Sequence, residues 1–271
     1  MKKFNLLSIG SALVLGLGFA LPASAQMTYN LATGGNCNFP PATCTVTGSS
    51  TVANSLVISG WSAASGANFV ATGITDMTGS GVGMTAPGES TASPDHAIDN
   101  NGSLELIALN FGTNRVVLTG LATGWSQNDT DIAVLRWTGT TGPDLSTTKV
   151  TDSITGLVAK GWSIVSSVDL DGVNTTGATF GGLSTNAGLG NLANSSSWWI
   201  VSSYFGGGAL GAADAAADYF KLLSVSATCV GNTNGGACNT TTGGRVPEPT
   251  SLALAGLALA GLGYSRRKKV N

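Results

Sequence analysis

Charged residues are scarce in this 271-residue chain, and histidine is almost absent. Asp, Glu, Lys and Arg make up 10% of the residues, against roughly a quarter in an average soluble domain. Any Ser-His-Asp triad would have to use the single histidine, His96, and no serine lies in a supporting motif. The chain also lacks a nucleophile elbow, a metalloprotease helix and a phosphate-binding loop. These absences predict a protein that is not an enzyme.

Basic residues are especially few between the two ends of the chain. Residues 26–250 contain fourteen acidic and six basic residues, a net charge of -8, although the whole chain carries -2. A nucleic-acid-binding surface needs a positive field, so no nucleic-acid partner is expected. The acidic character is compatible with divalent cations and with good solubility.

Long apolar runs occur only at the two ends. At the N-terminus, Lys2 and Lys3 precede an apolar stretch at residues 6–21, and Ala23 and Ala25 form a small-residue cleavage site. This order predicts a signal helix over residues 1–25 that passes the Sec translocon and is cut by signal peptidase after Ala25. An uncleaved N-terminal anchor is the alternative.

The C-terminal apolar run, residues 251–264, lies between a proline-containing motif and a basic stop. The motif consists of Val246, Pro247, Glu248 and Pro249. Its two prolines hold the chain extended and prevent the helix from continuing backwards. The basic stop consists of Arg266, Arg267, Lys268 and Lys269. The positive-inside bias keeps such a cluster cytoplasmic, so a transmembrane helix is predicted at residues 251–264.

This helix is short for a membrane span. About 14 residues give roughly 21 Å, against about 30 Å of hydrocarbon. Snorkelling of the basic stop and local thinning of the bilayer would cover the difference. The alternative is a C-terminal helix that packs on a globular domain.

The order of these parts closely resembles the PEP-CTERM sorting signal of Gram-negative bacteria. In that family a membrane-embedded cysteine protease, an exosortase, recognises the tail and cleaves near Pro-Glu-Pro. The resemblance implies an inner-membrane intermediate, followed by transfer to the cell surface or extracellular matrix. It covers residues 246–271, about a tenth of the chain, and implies nothing about the function of the rest.

Only four cysteines are present, and they lie in two close pairs. An even number in an exported chain favours disulfides. Local closure predicts the bonds Cys37–Cys44 and Cys229–Cys238, while a crossed pairing of the two chain ends is the alternative. Zinc is not expected, because the cysteine spacings are wrong and the histidine is far away.

The middle of the chain is rich in Gly, Ser, Thr, Ala and Asn and poor in helix formers. Apolar residues alternate with polar ones in short stretches separated by turn residues, which is the pattern of β-strands. Strands are predicted at residues 55–61, 68–75, 81–85, 103–111, 115–121, 132–138, 162–169, 197–204 and 219–228. Residues 112–114 predict a hairpin loop between two of them, and residues 212–217 predict the one short helix.

Many short strands and almost no helix predict an all-β fold, an antiparallel jelly-roll-like sandwich. The predicted organisation is a signal peptide at residues 1–25, a β-sandwich ectodomain at 26–230, a Gly/Asn/Thr-rich linker at 231–245 and the sorting signal at 246–271.

The densest group of polar side chains lies at residues 89–105 and includes His96 and Glu105. Carboxylate and amide oxygens at close spacing are the ligands that Ca²⁺ prefers. The predicted Ca²⁺ ligands are Glu89, Asp95, Asp99 and Asn100. Two other interpretations stay open: the aspartates cap turns while His96 bonds to backbone, or His96 acts as an acid or base with Asp99 or Glu89.

Residues 83–111, 129–135 and 218–222 resemble stretches of other PEP-CTERM cargo proteins, with Asp95 to Asn100 at the centre of the likeness. That group consists of exosortase-dependent surface proteins. The resemblance brings no activity with it.

Three functions are compatible with these patterns. The favoured one is a non-enzymatic surface or matrix protein, because no catalytic motif is present. The second is a carbohydrate-binding module of the exopolysaccharide matrix, for which Trp125 is the best exposed candidate to stack on a sugar. The third is a hydrolase that uses a carboxylate pair such as Glu89 and Asp99, which requires a cleft with the two groups about 5–10 Å apart.

Overall fold

Nearly all of the regular structure is antiparallel β-strand. The computed structural model describes residues 26–32, 43–49, 55–77, 79–90, 92–128, 130–150, 155–168, 179–181, 189–203 and 217–238. The strands are β1 (Gln26–Asn30), β2 (Thr43–Thr47), β3 (Ser55–Ala64), β4 (Val70–Met77), β5 (Gly81–Thr85), β6 (Ile98–Asp99), β7 (Ser103–Asn110), β8 (Asn114–Asn128), β9 (Ile132–Trp137), β10 (Trp162–Val168), β11 (Thr179–Gly181), β12 (Trp198–Ser203) and β13 (Asp218–Asn232). The described helices are α1 (Thr155–Ala159) and two 3₁₀ turns, Leu145–Thr147 and Leu192–Asn194.

The alternation of apolar and polar residues explains which faces of the strands are buried. In β1 and β2 every second residue is buried, as expected for strands with one face on a core. In β7 all six inner residues are buried, so both faces of this strand are covered. The largely apolar sequence of β7 fits its central position, since it pairs with β3 on one side and with β12 on the other.

The sheet consists of two halves that are joined by β4. We call the strands β10, β9, β12, β7, β3 and β2 the β3 half, and the strands β5, β13, β8, β11, β1 and β6 the β13 half. The first residues of β4, Val70 to Thr72, pair with β3, whereas its residues from Gly73 onward pair with β5. One strand therefore carries the curled sheet from one half to the other.

The main core draws side chains from both halves. Leu56, Ile58 and Trp199 come from the β3 half, and Phe220 and Leu222 come from β13. All five are fully buried. Each half of the sheet has apolar residues on one face. Packing these two faces together buries the most apolar area, and this burial is the dominant favourable term in the free energy of folding.

A second apolar cluster covers the opposite face of the β3 half. It contains Leu106 of β7 and Leu135 of β9, together with Leu157 of α1 and Leu145 of the first 3₁₀ turn. The short helix and this turn thus supply the apolar cover that makes β7 buried on both sides.

All nine strands predicted from alternation overlap strands of the structure. Four further strands, β1, β2, β6 and β11, were not predicted; β6 and β11 contain only two and three residues. The predicted helix at residues 212–217 falls largely outside the described residues.

The hairpin predicted at residues 112–114 is wrong. The strands on either side of this loop, β7 and β8, do not pair: β7 pairs with β3 and β12, and β8 pairs with β13 and β11. The loop instead connects the two halves of the sheet. Turn-forming residues indicate that the chain reverses, but they do not determine which strand becomes the hydrogen-bonded neighbour.

The structure contains the predicted disulfide Cys229–Cys238. Cys44 is also disulfide-bonded, and its predicted partner Cys37 lies outside the described residues. Strand β13 runs to Asn232, two residues into the segment predicted as linker.

The predicted signal peptide, the sorting motif, the basic stop and the predicted transmembrane helix at residues 251–264 lie outside the described residues. Within the described ranges, no helix combines the length and the apolar character needed to span a membrane.

Candidate functional site

The predicted polar group lies in the segment that runs from β5 through β6 to β7. This segment folds back onto β5: the amide of Met84 donates to the carbonyl of Ala97 at 3.1 Å, and the hydroxyl of Thr75 donates to the carbonyl of His96 at 3.0 Å. Gly83 makes the close approach possible, because a Cβ atom at this position would lie 2.1 Å from the His96 oxygen. The short strand β6 then pairs with β13, which places Asp99 opposite Tyr219.

Three carboxyl groups converge in this segment. One oxygen from each of Glu89, Asp99 and Glu105 lies within 4.8 Å of the others. We call these residues the carboxylate cluster. Asp99 and Glu105 are 1% and 0% exposed, and Glu89 is half-buried at the outer side of the group.

Each carboxylate of the cluster is held by a backbone amide. The amide of Ala86 donates to Glu89 Oε2 at 2.7 Å, that of Asn101 to Asp99 Oδ1 at 2.9 Å, and that of Asp99 to Glu105 Oε2 at 3.1 Å. These bonds fix the orientation of the three groups. Glu105 Oε1 is buried and has no hydrogen-bond partner.

Burial raises the pKa of every member of the cluster. The pKa of Asp99 rises to about 7, because desolvation and the nearby charges of Glu89 and Asp95 outweigh the amide of Asn101. Burial, followed by the charges of Asp99 and Glu89, raises the pKa of Glu105 well above its usual range. Burial also raises the pKa of Glu89, while the amide of Ala86 opposes this shift.

The charges of the cluster oppose one another when no cation is present. Two unit charges 4.8 Å apart repel by about 3–4 kcal/mol at an effective dielectric constant of about 20. Three ionised carboxylates at this spacing therefore require either a bound cation or retained protons. Both states are chemically accessible to this arrangement.

The remaining predicted cation ligands lie outside the carboxylate cluster. Asp95 is half-exposed and acts on the cluster through its charge. Asn100 contacts Asp218 instead: its Nδ2 donates to Asp218 Oδ2 at 2.6 Å, and its Oδ1 accepts from the Asp218 amide at 3.0 Å. Asp218 also accepts from the amide of Asp131 at 2.9 Å, so Asp218 links Asn100 to the residue before β9.

His96 and Trp125 pack against each other beside this segment. Their ring centroids are 6.1 Å apart. His96 is buried, its Nδ1 has no hydrogen-bond partner, and no hydrogen bond joins it to Asp99 or Glu89. Trp125 is half-buried. The structure therefore places the predicted sugar-stacking residue near the predicted cation ligands.

A cleft that the sequence analysis did not identify lies where β9 ends and β12 begins. Its volume is about 430 Å³. Trp137, the last residue of β9, and Trp198, the first of β12, are half-exposed in its wall. The exposed residues 138–142 form another part of the wall. We call this cavity the Trp137–Trp198 cleft.

Two arginines enter this cleft from different halves of the sheet. Arg136 belongs to β9 and is the cross-strand neighbour of Trp199. Arg115 belongs to β8, which is held to the segment before β12 by backbone hydrogen bonds between Val116 and Ser196 at 2.8 and 2.9 Å. The guanidinium of Arg115 donates to Ser195 Oγ at 2.8 Å.

The cleft contains hydrogen-bonding groups that the protein does not use. Arg136 Nε is buried without a hydrogen-bond partner. Among the described residues, neither arginine has a carboxylate in ion-pair contact. Trp137 is held in place, since its indole N–H donates to the carbonyl of Thr141 at 2.5 Å and its ring lies 5.3 Å from that of Trp162.

The sequence analysis did not assign Glu105 as a ligand and did not identify the two arginines, for different reasons. Glu105 lies in an apolar strand, and a lone carboxylate in a buried strand signals a compensating group nearby. Arg115 and Arg136 have no such signal, because their strands, although consecutive in the chain, belong to different halves of the sheet and only the curled sheet brings the two side chains together.

Comparison with known proteins identifies the C-terminal segment. Residues 245–268 match the family described as PEP-CTERM protein-sorting motif. This motif indicates that the protein is exported across the membrane to the cell surface or extracellular space and implies processing by an exosortase. No curated protein and no solved structure matches the chain significantly.

Proposed function

We propose that this protein is a non-enzymatic component of the cell surface or extracellular matrix whose exported domain binds an acidic polysaccharide of that matrix. The observation that carries the proposal is the presence of Arg115 and Arg136 in the Trp137–Trp198 cleft. The sorting motif supports the location, since it brings the domain to the place where such polymers occur.

The groups in the cleft fit a uronate-containing sugar. A guanidinium presents a planar fork of donors that matches a carboxylate, and such charge-assisted bonds are stronger than neutral ones. The hydroxyl of Ser197 can bond to a sugar hydroxyl, and the half-exposed ring of Trp198 offers an apolar surface for a sugar ring.

Charge complementarity limits where an acidic polymer can bind. Residues 26–250 carry a net charge of -8, so most of the surface repels a polyanion. The cleft contains two of the six basic residues of this region. Specific binding is therefore confined to the cleft and should weaken as salt is added.

The burial of the carboxylate cluster supports the non-enzymatic part of the proposal. Oxygens of Glu89 and Asp99 lie within 4.8 Å of each other, at the lower limit of the separation that the hydrolase hypothesis requires. A glycosidase, however, must bring the glycosidic bond and a water molecule between its carboxyl groups. Asp99 and Glu105 are too deeply buried for a sugar to reach them.

The proposal includes two further points, one on the type of fold and one on the C-terminal helix. The curled sheet is a jelly-roll-like sandwich, which its single core between the two halves supports. The helix at residues 251–264 spans the inner membrane and holds the protein there until the exosortase acts.

The test measures binding of the exported protein to oligogalacturonate and to a neutral glucan oligosaccharide by calorimetry. The acidic ligand should bind and the neutral one should not. Arg136→Gln and Arg115→Gln should each weaken binding about tenfold or more, because each removes a charge-assisted contact. Trp198→Ala should also weaken it.

Two variants serve as controls. Lys149→Gln removes an exposed positive charge outside the cleft and should leave the affinity unchanged. Trp125→Ala tests the surface that the sequence analysis favoured. Equal affinity for the acidic and neutral ligands, or a loss with Trp125→Ala but not with Arg136→Gln, would contradict the proposal.

A further inference from the structure

We propose that Glu89, Asp99 and Glu105 together bind a hard divalent cation of the Ca²⁺ type. This ligand set differs from the one predicted from the sequence: it includes Glu105 and excludes Asp95 and Asn100. The site is independent of the Trp137–Trp198 cleft, which shares no residue with it.

The first observation is the arrangement of the carboxyl oxygens. One oxygen of each group accepts a hydrogen bond from a backbone amide, of Ala86, Asn101 and Asp99 respectively. Each group is thereby anchored and still has a second oxygen to offer. One oxygen of each group lies within 4.8 Å of the others, and three oxygens at this spacing can coordinate one ion, with water completing the coordination.

The second observation is the unpartnered oxygen of Glu105. Its Oε1 is buried, and the whole side chain is 0% exposed. An isolated buried carboxylate is strongly disfavoured, because burial removes its hydration and nothing replaces it. The other oxygen of Glu105, Oε2, accepts from the amide of Asp99 at 3.1 Å, and one oxygen of the group lies within 4.8 Å of oxygens of Glu89 and Asp99. A cation at this position supplies the missing partner.

The chemistry of the donors selects the class of ion. All three are carboxylates, and neither a cysteine nor His96 belongs to the cluster. Oxygen-only sites suit Ca²⁺ and Mg²⁺, whereas zinc sites usually include nitrogen or sulfur ligands. Ca²⁺ tolerates irregular geometry and Mg²⁺ demands a near-octahedral one, so Ca²⁺ should bind more tightly.

The position of the site gives the ion a structural role. Glu89 follows β5, Asp99 belongs to β6, and Glu105 belongs to β7. A bound ion joins the loop after β5 to the central strand of the β3 half. The half-exposed Glu89 provides the route by which the ion enters from solvent.

The test measures the melting temperature of the exported protein after removal of metal by a chelator. Ca²⁺ at about 100 times its Kd should raise the Tm by roughly 5–10 °C at pH 7.5. Calorimetry should show one ion bound per chain. Asp99→Asn and Glu89→Gln should each weaken Ca²⁺ binding at least tenfold and remove most of the Tm increase.

Asp95→Asn is the matched control, because it makes the same chemical change in the same segment outside the ligand set. It should retain the Tm increase. If Glu105→Gln fails to fold, Glu89→Gln still decides the question, since Glu89 is only half-buried. The proposal is overturned if Ca²⁺ and Mg²⁺ at 10 mM leave the wild-type Tm unchanged, or if Glu89→Gln and Asp99→Asn respond to Ca²⁺ as the wild type does.

Discussion

Asp99 shows how burial of a single residue changes its chemistry. Its carboxyl group is 1% exposed and lies near two other carboxylates, and its pKa is raised to about 7. The folded protein therefore holds a proton on Asp99 at pH values where the unfolded chain, with a pKa near 3.8, has lost it. Protonation in this range favours the folded state.

The first prediction concerns the pH dependence of stability in the presence of a chelator. The contribution of Asp99 to the stability of the folded state is fully present below pH 3.8 and is lost as the pH rises to about 7. The free energy of unfolding should therefore decrease over this pH range. The pKa of Glu105 is also raised, so Glu105 contributes to the decrease in the same direction. Asp99→Asn should flatten the decline, because an amide does not titrate. Urea unfolding at a series of pH values measures this.

Asp144→Asn is the control for this prediction. Asp144 is exposed and accepts a hydrogen bond from the amide of Ser146, and its pKa is lowered by the hydroxyl of Ser146. The contribution of Asp144 to stability changes only at lower pH, because its pKa is lowered. Asparagine at this position can still cap the 3₁₀ turn. If the stability of Asp99→Asn depended on pH as that of the wild type does, the decrease could not be attributed to Asp99.

Asp99 and Glu105 also show what the sequence can and cannot predict about single residues. The position of Asp99 in a polar segment led to its prediction as a ligand, and the structure places it in the carboxylate cluster. Glu105 was seen as part of the polar group but not as a ligand, because local spacing does not reveal which face of β7 meets the loop.

At the scale of elements, the segment between β5 and β7 depends on close backbone contact. Gly83 of β5 lies against the carbonyl of His96, and the neighbouring Met84 donates to Ala97. The segment carries Asp99 and precedes Glu105, so this contact positions the carboxylate cluster. A glycine is required at this point because of space rather than because of its backbone angles.

We expect Gly83→Ala to destabilise the fold by about 2–4 kcal/mol, because the new methyl group would collide with backbone that cannot move aside. The urea midpoint measures this change. Gly73→Ala in β4 is the matched control, since a Cβ atom there meets nothing within 4 Å. Its effect should stay within about 1 kcal/mol. Equal losses in the two variants would show that the contact with His96 is not the cause.

Strand positions were predictable because the apolar residues alternate. The pairing of strands was not, as the loop at residues 112–114 shows. A β-strand has two edges, and its neighbour is determined by which apolar faces pack together across the whole domain. Strands β7 and β8 follow each other in sequence and yet belong to different halves of the sheet.

At the scale of the whole molecule, the C-terminal sorting motif directs the protein to the cell surface or extracellular space. We expect the exported protein to begin at Gln26 and to end near residues 246–249. Its intact mass should lack both the signal peptide and the helix at residues 251–264. Mass spectrometry of the protein from the cell surface or the medium checks this prediction.

Replacement of the sorting motif should separate export from release. Pro247→Ala combined with Pro249→Ala should leave the C-terminal helix uncut and keep the protein in the membrane fraction, because the extended motif is lost. Thr241→Ala, upstream of the matched segment, should be processed normally. Normal processing of the double variant would argue against recognition of this motif.

The sequence by itself determined the sorting motif and the β-rich character of the domain, and it favoured the local pairing of Cys229 with Cys238. These features depend on residues that are neighbours along the chain or on the two-residue period of a strand. Only the tertiary structure decided that Glu105 joins Glu89 and Asp99, and that Arg115 and Arg136 share a cleft. Those groups meet because β4 curls the sheet and packs its two halves on one core, an arrangement that depends on long-range contacts.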